Sequence, residues 1–70
     1  MRANDVKTKM KKAMVSLLKR KNYLQITVTD LVQEARVARA SFYRVYNSID
    51  RVLDDVYIDL KHELLSLFVP

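Results

Sequence analysis

The stretch Thr27–Leu53 constrains this chain more than any other, because its spacings suit short helices joined by tight turns. Thr27 followed by Asp30 fits a capping box, in which the hydroxyl accepts from a first-turn amide and the carboxylate reaches back to the cap. A helix is therefore expected to start near Val28. Leu31 and Ala35 fall one turn apart on a common face, with Thr29, Gln33 and Glu34 turned toward water. Phe42 and Tyr46 repeat the four-residue spacing while Arg39, Tyr43 and Arg44 lie on other faces. A second short helix must then follow after only about three or four residues, the connection of a helix-turn-helix. Ser48 can cap a further helix, and Asp50 in its first turn suits the positive end of the dipole. Alternation is absent, which argues against strands.

Upstream, Val6, Met10, Ala13, Met14, Leu17 and Leu18 recur at helical spacing, with Lys7, Lys9, Lys11, Lys12, Lys19 and Arg20 mostly off that stripe. Asn4 or Asp5 is expected to cap this first helix, and Lys19, Arg20 and Lys21 suit its negative end. Asn22 reads as a left-handed residue after the helix, with Tyr23 folding back over the last turn. Leu24, Ile26, Val28, Leu31, Ala35, Val37, Phe42 and Tyr46 are expected in the core. The fold class is all-α, a small helix-turn-helix domain of about four helices, homeodomain-like in plan.

Seventy residues form one small domain, which on folding buries only about 60 % of the surface its unfolded chain exposes. A large catalytic cleft does not fit inside it. With no cysteine and only His62, neither a disulfide framework nor a zinc site is expected. No nucleophile–base pair, glycine-rich phosphate loop or metal-spaced cluster appears, so the expectation is a non-enzyme without cofactor. The opening MRANDVKTKMKK is not followed by an apolar run long enough for a secretory signal, and no stretch could span a membrane. A cytoplasmic location is the default. Glycine is absent and the one proline is Pro70, which leaves no internal linker or repeat.

Charge is unevenly placed. Residues 1–51 hold twelve of the thirteen Lys and Arg against four of the eight acids, whereas residues 52–70 set Lys61 against Asp54, Asp55, Asp59 and Glu63. A basic front and an acidic back would orient the domain toward a polyanion, with strongly salt-dependent binding. The helix near Arg39–Tyr46 exposes a matching inventory: Arg39 and Arg44 as base or phosphate readers, Ser41 and Tyr43 as phosphate contacts, Ala40 as a close-approach residue and Val45 as an apolar contact to thymine. An ordinary solvated helix face is the alternative for the same residues.

Residues 27–53 resemble the DNA-binding domain of the tetracycline-repressor (TetR-like) family of bacterial transcription regulators. The resemblance runs through T-V-x-D-L-V-x-x-A at Thr27–Ala35, then Val37, R-A-S-F-Y-R-V-Y at Arg39–Tyr46, Ser48 and Val52-Leu53. It extends back through Tyr23, Leu18, Leu17, Ala13 and Met10, and so covers roughly residues 6–53. The S-F-Y-R-x-Y core is far more specific than a bare helix-turn-helix pattern. The resemblance implies sequence-specific binding of double-stranded DNA, with the Arg39–Tyr46 helix in the major groove and Thr29 within reach of a base. It also implies a homodimer on a palindromic operator, usually acting as a repressor. Lys7, Thr27, Arg36 and Arg51 are the candidate phosphate contacts.

Some positions depart from the family. Arg36 stands where glycine is frequent, which costs about 1–2 kcal/mol if the backbone is left-handed there. Ala38 replaces a common serine cap, which forfeits on the order of 1 kcal/mol. Ile49 replaces a phosphate-holding lysine, for which nearby Arg51 is the substitute. Residues 1–53 then form the DNA-binding domain. The resemblance implies that residues 54–70 continue the fourth helix as a connector to a dimerisation and effector domain expected to be absent from this chain. The apolar residues Val52, Val56, Leu60, Leu64 and Leu67, with Tyr57, Ile58, Leu65 and Phe68 on further faces, describe a helix buried on most sides. Association through residues 56–69 is the alternative to a fragment of a longer regulator, and a helical protein-interaction module is the competing function. Membrane-surface binding by the basic first helix is weaker, since its apolar face carries no aromatic residue.

Overall fold

The computed structural model describes residues 3–68. Four α-helices follow in order, α1 (Ala3–Leu18), α2 (Val28–Ala35), α3 (Arg39–Val45) and α4 (Ile49–Ser66), with one 3-10 turn at Tyr23–Gln25 and no strand among the described residues. No helix among them is long and apolar enough to cross a membrane.

The core is built on α1, which packs against each of the other three helices. Its stripe Val6, Met10, Ala13, Met14 and Leu17 is buried, while Leu18 sits at the exposed edge. These side chains meet Ile26, Leu31, Val32, Ala35, Phe42, Tyr46 and Val52 in a single cluster. Full burial of such a side chain contributes about 1.5–3 kcal/mol. Total stabilities run to only about 5–15 kcal/mol, so a few of these residues decide whether a chain this short folds at all. Val28 and Val37 pack against the cluster from its margin. Leu24 does not: it is 88 % exposed, because the 3-10 turn aims it outward while Tyr23 and Ile26 on either side face in.

The connection from α1 to α2 differs from expectation in its backbone. Asn22 is extended, not left-handed, and its side chain accepts from the Leu24 amide at 3.2 Å. It therefore starts the 3-10 turn instead of closing α1, whose end is closed by Lys19, Arg20 and Lys21 amides donating to the Ser16 and Leu17 carbonyls. Arg20 and Lys21 lie past the helix and face α2: Arg20 pairs with Glu34, which also accepts from Ser16, and Lys21 pairs with Asp30 at 2.8 Å. At the other end, Asp5 lies within the first turn of α1 rather than capping it, and the Asn4 side chain is outside the described residues.

Thr27 begins α2 with the full capping box: its hydroxyl accepts from the Asp30 amide at 3.1 Å and its amide donates to the Asp30 carboxylate at 3.0 Å. The helix ends in a Schellman motif at Arg36 (φ 58°, ψ 45°), with Val37 N–H donating to the Val32 carbonyl at 3.1 Å and Arg36 N–H to that of Gln33 at 3.3 Å. Arginine thus takes the left-handed position that glycine would fill with less strain. Two residues later Ala38 stands at the N-cap of α3 and supplies no side-chain cap. A second left-handed residue, Asn47 (φ 53°), turns the chain from α3 into α4, which Ser48 caps by accepting from the Arg51 amide.

The start of α4 is tied down and its end is not. Tyr23 donates to Asp50, Tyr46 donates to Asp55 at 2.8 Å, and Lys11 pairs with Asp59 at 2.7 Å. Asp55 is therefore a bonded partner and not plain helix surface. Val52 is fully buried and Ile49, Leu53 and Val56 pack against the core, whereas Tyr57, Ile58, Leu60, Leu64, Leu65, Leu67 and Phe68 are exposed, Phe68 to 82 %. Burial on most sides is thus not what residues 57–68 show, because the other helices reach only the first turns. Val69, the last residue of the expected association segment, lies outside the described residues.

Candidate nucleic-acid interface

The α3 helix owes its orientation to two inward aromatics. Phe42 has no exposure and Tyr46 only 3 %, and the four-residue spacing between them fixes which side of this seven-residue helix faces the core. Arg39, Ala40, Tyr43 and Arg44 are exposed in consequence. Ser41 and Val45 are half-buried, and Val45 packs against the core from the margin. Tyr43 is not loose on this surface: its ring meets Phe42 edge-on, with centroids 5.2 Å apart and planes at 72°, a favoured aromatic geometry.

Three of the sequence-identified residues come together across the turn. The Arg39 guanidinium donates through Nη2 to the Thr29 hydroxyl on α2 and through Nη1 to the Tyr43 hydroxyl one turn along α3, the latter at 3.2 Å. Thr29, Arg39 and Tyr43 thus form one hydrogen-bonded group spanning both helices. Thr27 is exposed with its oxygen engaged in the capping box, and Lys7, Arg36, Arg44 and Arg51 are exposed on α1, the turn, α3 and α4.

The electrostatics follow from who pairs with whom. Both acids of α2, Asp30 and Glu34, are matched by Lys21 and Arg20, and α3 contains no acid. None of the ion pairs among the described residues involves Arg36, Arg39 or Arg44. Positive charge is therefore uncompensated along the turn and the outer side of α3. The Lys21 ammonium and the Thr27 amide both donate to Asp30 and hold its carboxyl below the usual range, so it remains an anion that neutralises Lys21. Burial, then the bond to Asp55, pushes the Tyr46 phenol up, and the bond to Asp50 does the same for Tyr23.

Sequence spacing does not disclose the partners that hold this surface in place. Tyr46 and Asp55 are nine residues apart across a bend, and Arg39 and Thr29 are ten apart across another. Neither separation carries a helical or strand period. The one legible hint is chemical, a hydroxyl on each of two adjacent short helices beside an arginine.

No protein-family model matches the chain, and no solved structure matches it. Over 60 residues, 86 % of its length, the chain is 31 % identical to YxbF of Bacillus subtilis (strain 168), described as an uncharacterized HTH-type transcriptional regulator. The chain spans only 16 % of that protein's length.

Proposed function

We propose that this chain binds double-stranded DNA in a sequence-specific way as the helix-turn-helix part of a transcription regulator. The observation that carries the reading is the outer side of α3, where Arg39, Tyr43 and Arg44 stand on a short helix after a three-residue turn and no nearby acid is left to offset the cations. An α-helix with its side chains is about 10–12 Å across, which suits a major groove about 12 Å wide. The likeness to YxbF, a protein described as an HTH-type transcriptional regulator, supports the same reading. So do the motif S-F-Y-R-x-Y and its flanking residues, which support the finer proposal of a TetR-like regulator. In that proposal the protein acts as a repressor, two copies bind a palindromic operator, and residues 54–70 connect to a dimerisation and effector domain. A small domain makes few contacts alone, so tight binding would need pairing across two half-sites.

The competing reading, a protein-interaction module, draws on the exposed apolar end of α4. Salt separates the two, because phosphate binding releases counterions and loses affinity steeply as salt rises, while apolar docking does not. Selection of bound sequences from random duplex DNA tests the proposal directly. An inverted repeat is the expected product, and Arg39→Ala should weaken binding to it by about fivefold or more. No enrichment of any sequence, or equal affinity of Arg39→Ala, would refute the reading.

A further inference from the structure

Resting on the DNA-binding reading, we propose that Arg39 reads a guanine and that Thr29 and Tyr43 act as its positioning residues, so that base preference depends on two hydroxyls as well as on the guanidinium. A guanidinium carries five N–H donors in a planar fork. Two are taken by the Thr29 and Tyr43 hydroxyls. The remaining donors outnumber the O6 and N7 acceptors that guanine presents in the major groove, the one base edge with two adjacent acceptors. Adenine, by contrast, would turn an N–H₂ group toward the fork.

Both hydroxyls are on rigid supports. Thr29 is β-branched, stiff at χ1, and sits in the first turn of the capped helix α2. Tyr43 has its ring set against Phe42, which is fully buried. An arginine tied to both has already given up much of the rotamer freedom that an unrestrained one loses on docking. Because each hydroxyl oxygen accepts from Arg39, its proton points elsewhere and can be donated to a phosphate without releasing the guanidinium. Arg44, exposed on the same helix, has no such tie among the described residues and suits a phosphate, which needs charge more than direction.

The test uses the 70-residue chain, at a concentration high enough to fill single half-sites without pairing, and a duplex it selects from a random pool, with each dG replaced in turn by 7-deazaguanine, which lacks the N7 acceptor. One position is expected at which the replacement weakens wild-type binding about tenfold or more and weakens Arg39→Ala no further. At that position the preference for dG over dA should fall several-fold in Thr29→Val and in Tyr43→Phe, yet survive in Thr29→Ser, which keeps the hydroxyl. A preference unchanged in both Thr29→Val and Tyr43→Phe, or a 7-deazaguanine effect that persists in Arg39→Ala, overturns the assignment. If the wild type selects no sequence at all, the DNA-binding reading fails first and takes this one with it; the two failures are told apart before any variant is compared.

Discussion

The two halves of α4 share one apolar stripe, Val52, Val56, Leu60, Leu64 and Leu67, yet only the first half is packed. Ile49–Val56 faces the core and is bonded to the rest of the molecule through Asp50 and Asp55; Tyr57–Phe68 is exposed. The difference teaches that periodicity reports a helix's apolar side but not how far a neighbour extends along it. In this domain α1 supplies the neighbour, and its Lys11 reaches Asp59 beside the point where cover ends.

The sharpest way to break that contrast is to place the same charge in both halves. Val52→Asp should unfold the domain or cost several kcal/mol, because an unpaired carboxylate would enter the core. Leu64→Asp should change stability by less than about 0.5 kcal/mol, as surface substitutions do. Urea denaturation of both variants measures this, and equal losses would mean the end of α4 is buried in solution. A smaller effect is expected at the bond that fastens the packed half: Tyr46→Phe removes only the hydroxyl that Asp55 accepts from and should lower stability by about 1 kcal/mol in the same assay. The smallest concerns Lys11 and Asp59, both partly exposed. A double-mutant cycle with Lys11→Ala and Asp59→Ala should give a coupling below about 1 kcal/mol that shrinks with added salt.

Much of this arrangement was legible beforehand. The Thr27 capping box, the three-residue turn, the Ser48 cap and the inward pair Phe42 and Tyr46 all rest on local spacing, and local spacing is what a sequence records. Arg36, where glycine is frequent, leaves open whether the backbone is left-handed; it is, and the Schellman bonds explain why the chain accepts the strain there. Asn22 is ambiguous in the sequence because asparagine serves equally as a left-handed residue and as a side-chain cap, and only the following turn decides which. The exposure of Leu24 is illegible for a related reason: in a single 3-10 turn between helices, the α-helical period does not say which of three residues points out. The outward set Arg39, Ala40, Tyr43 and Arg44 was readable from the inward one. That Thr29 and Tyr43 converge on one guanidinium was not, since two helices must meet before the contact exists.

The two clasps on either side of the bundle carry opposite chemistries. Asp30, holding Lys21, titrates below its unfolded value, so its stabilising contribution is present above about pH 4 and fades as pH falls through the folded value. Tyr46, holding Asp55, titrates above its unfolded value, so its contribution is complete below about pH 10 and fades only in stronger alkali. Acid therefore loosens the joint between α1 and α2 while leaving the Tyr46 hydroxyl protonated, and alkali attacks the bond between Tyr46 and Asp55. Between those extremes Asp30 stays an anion and Tyr46 keeps its proton.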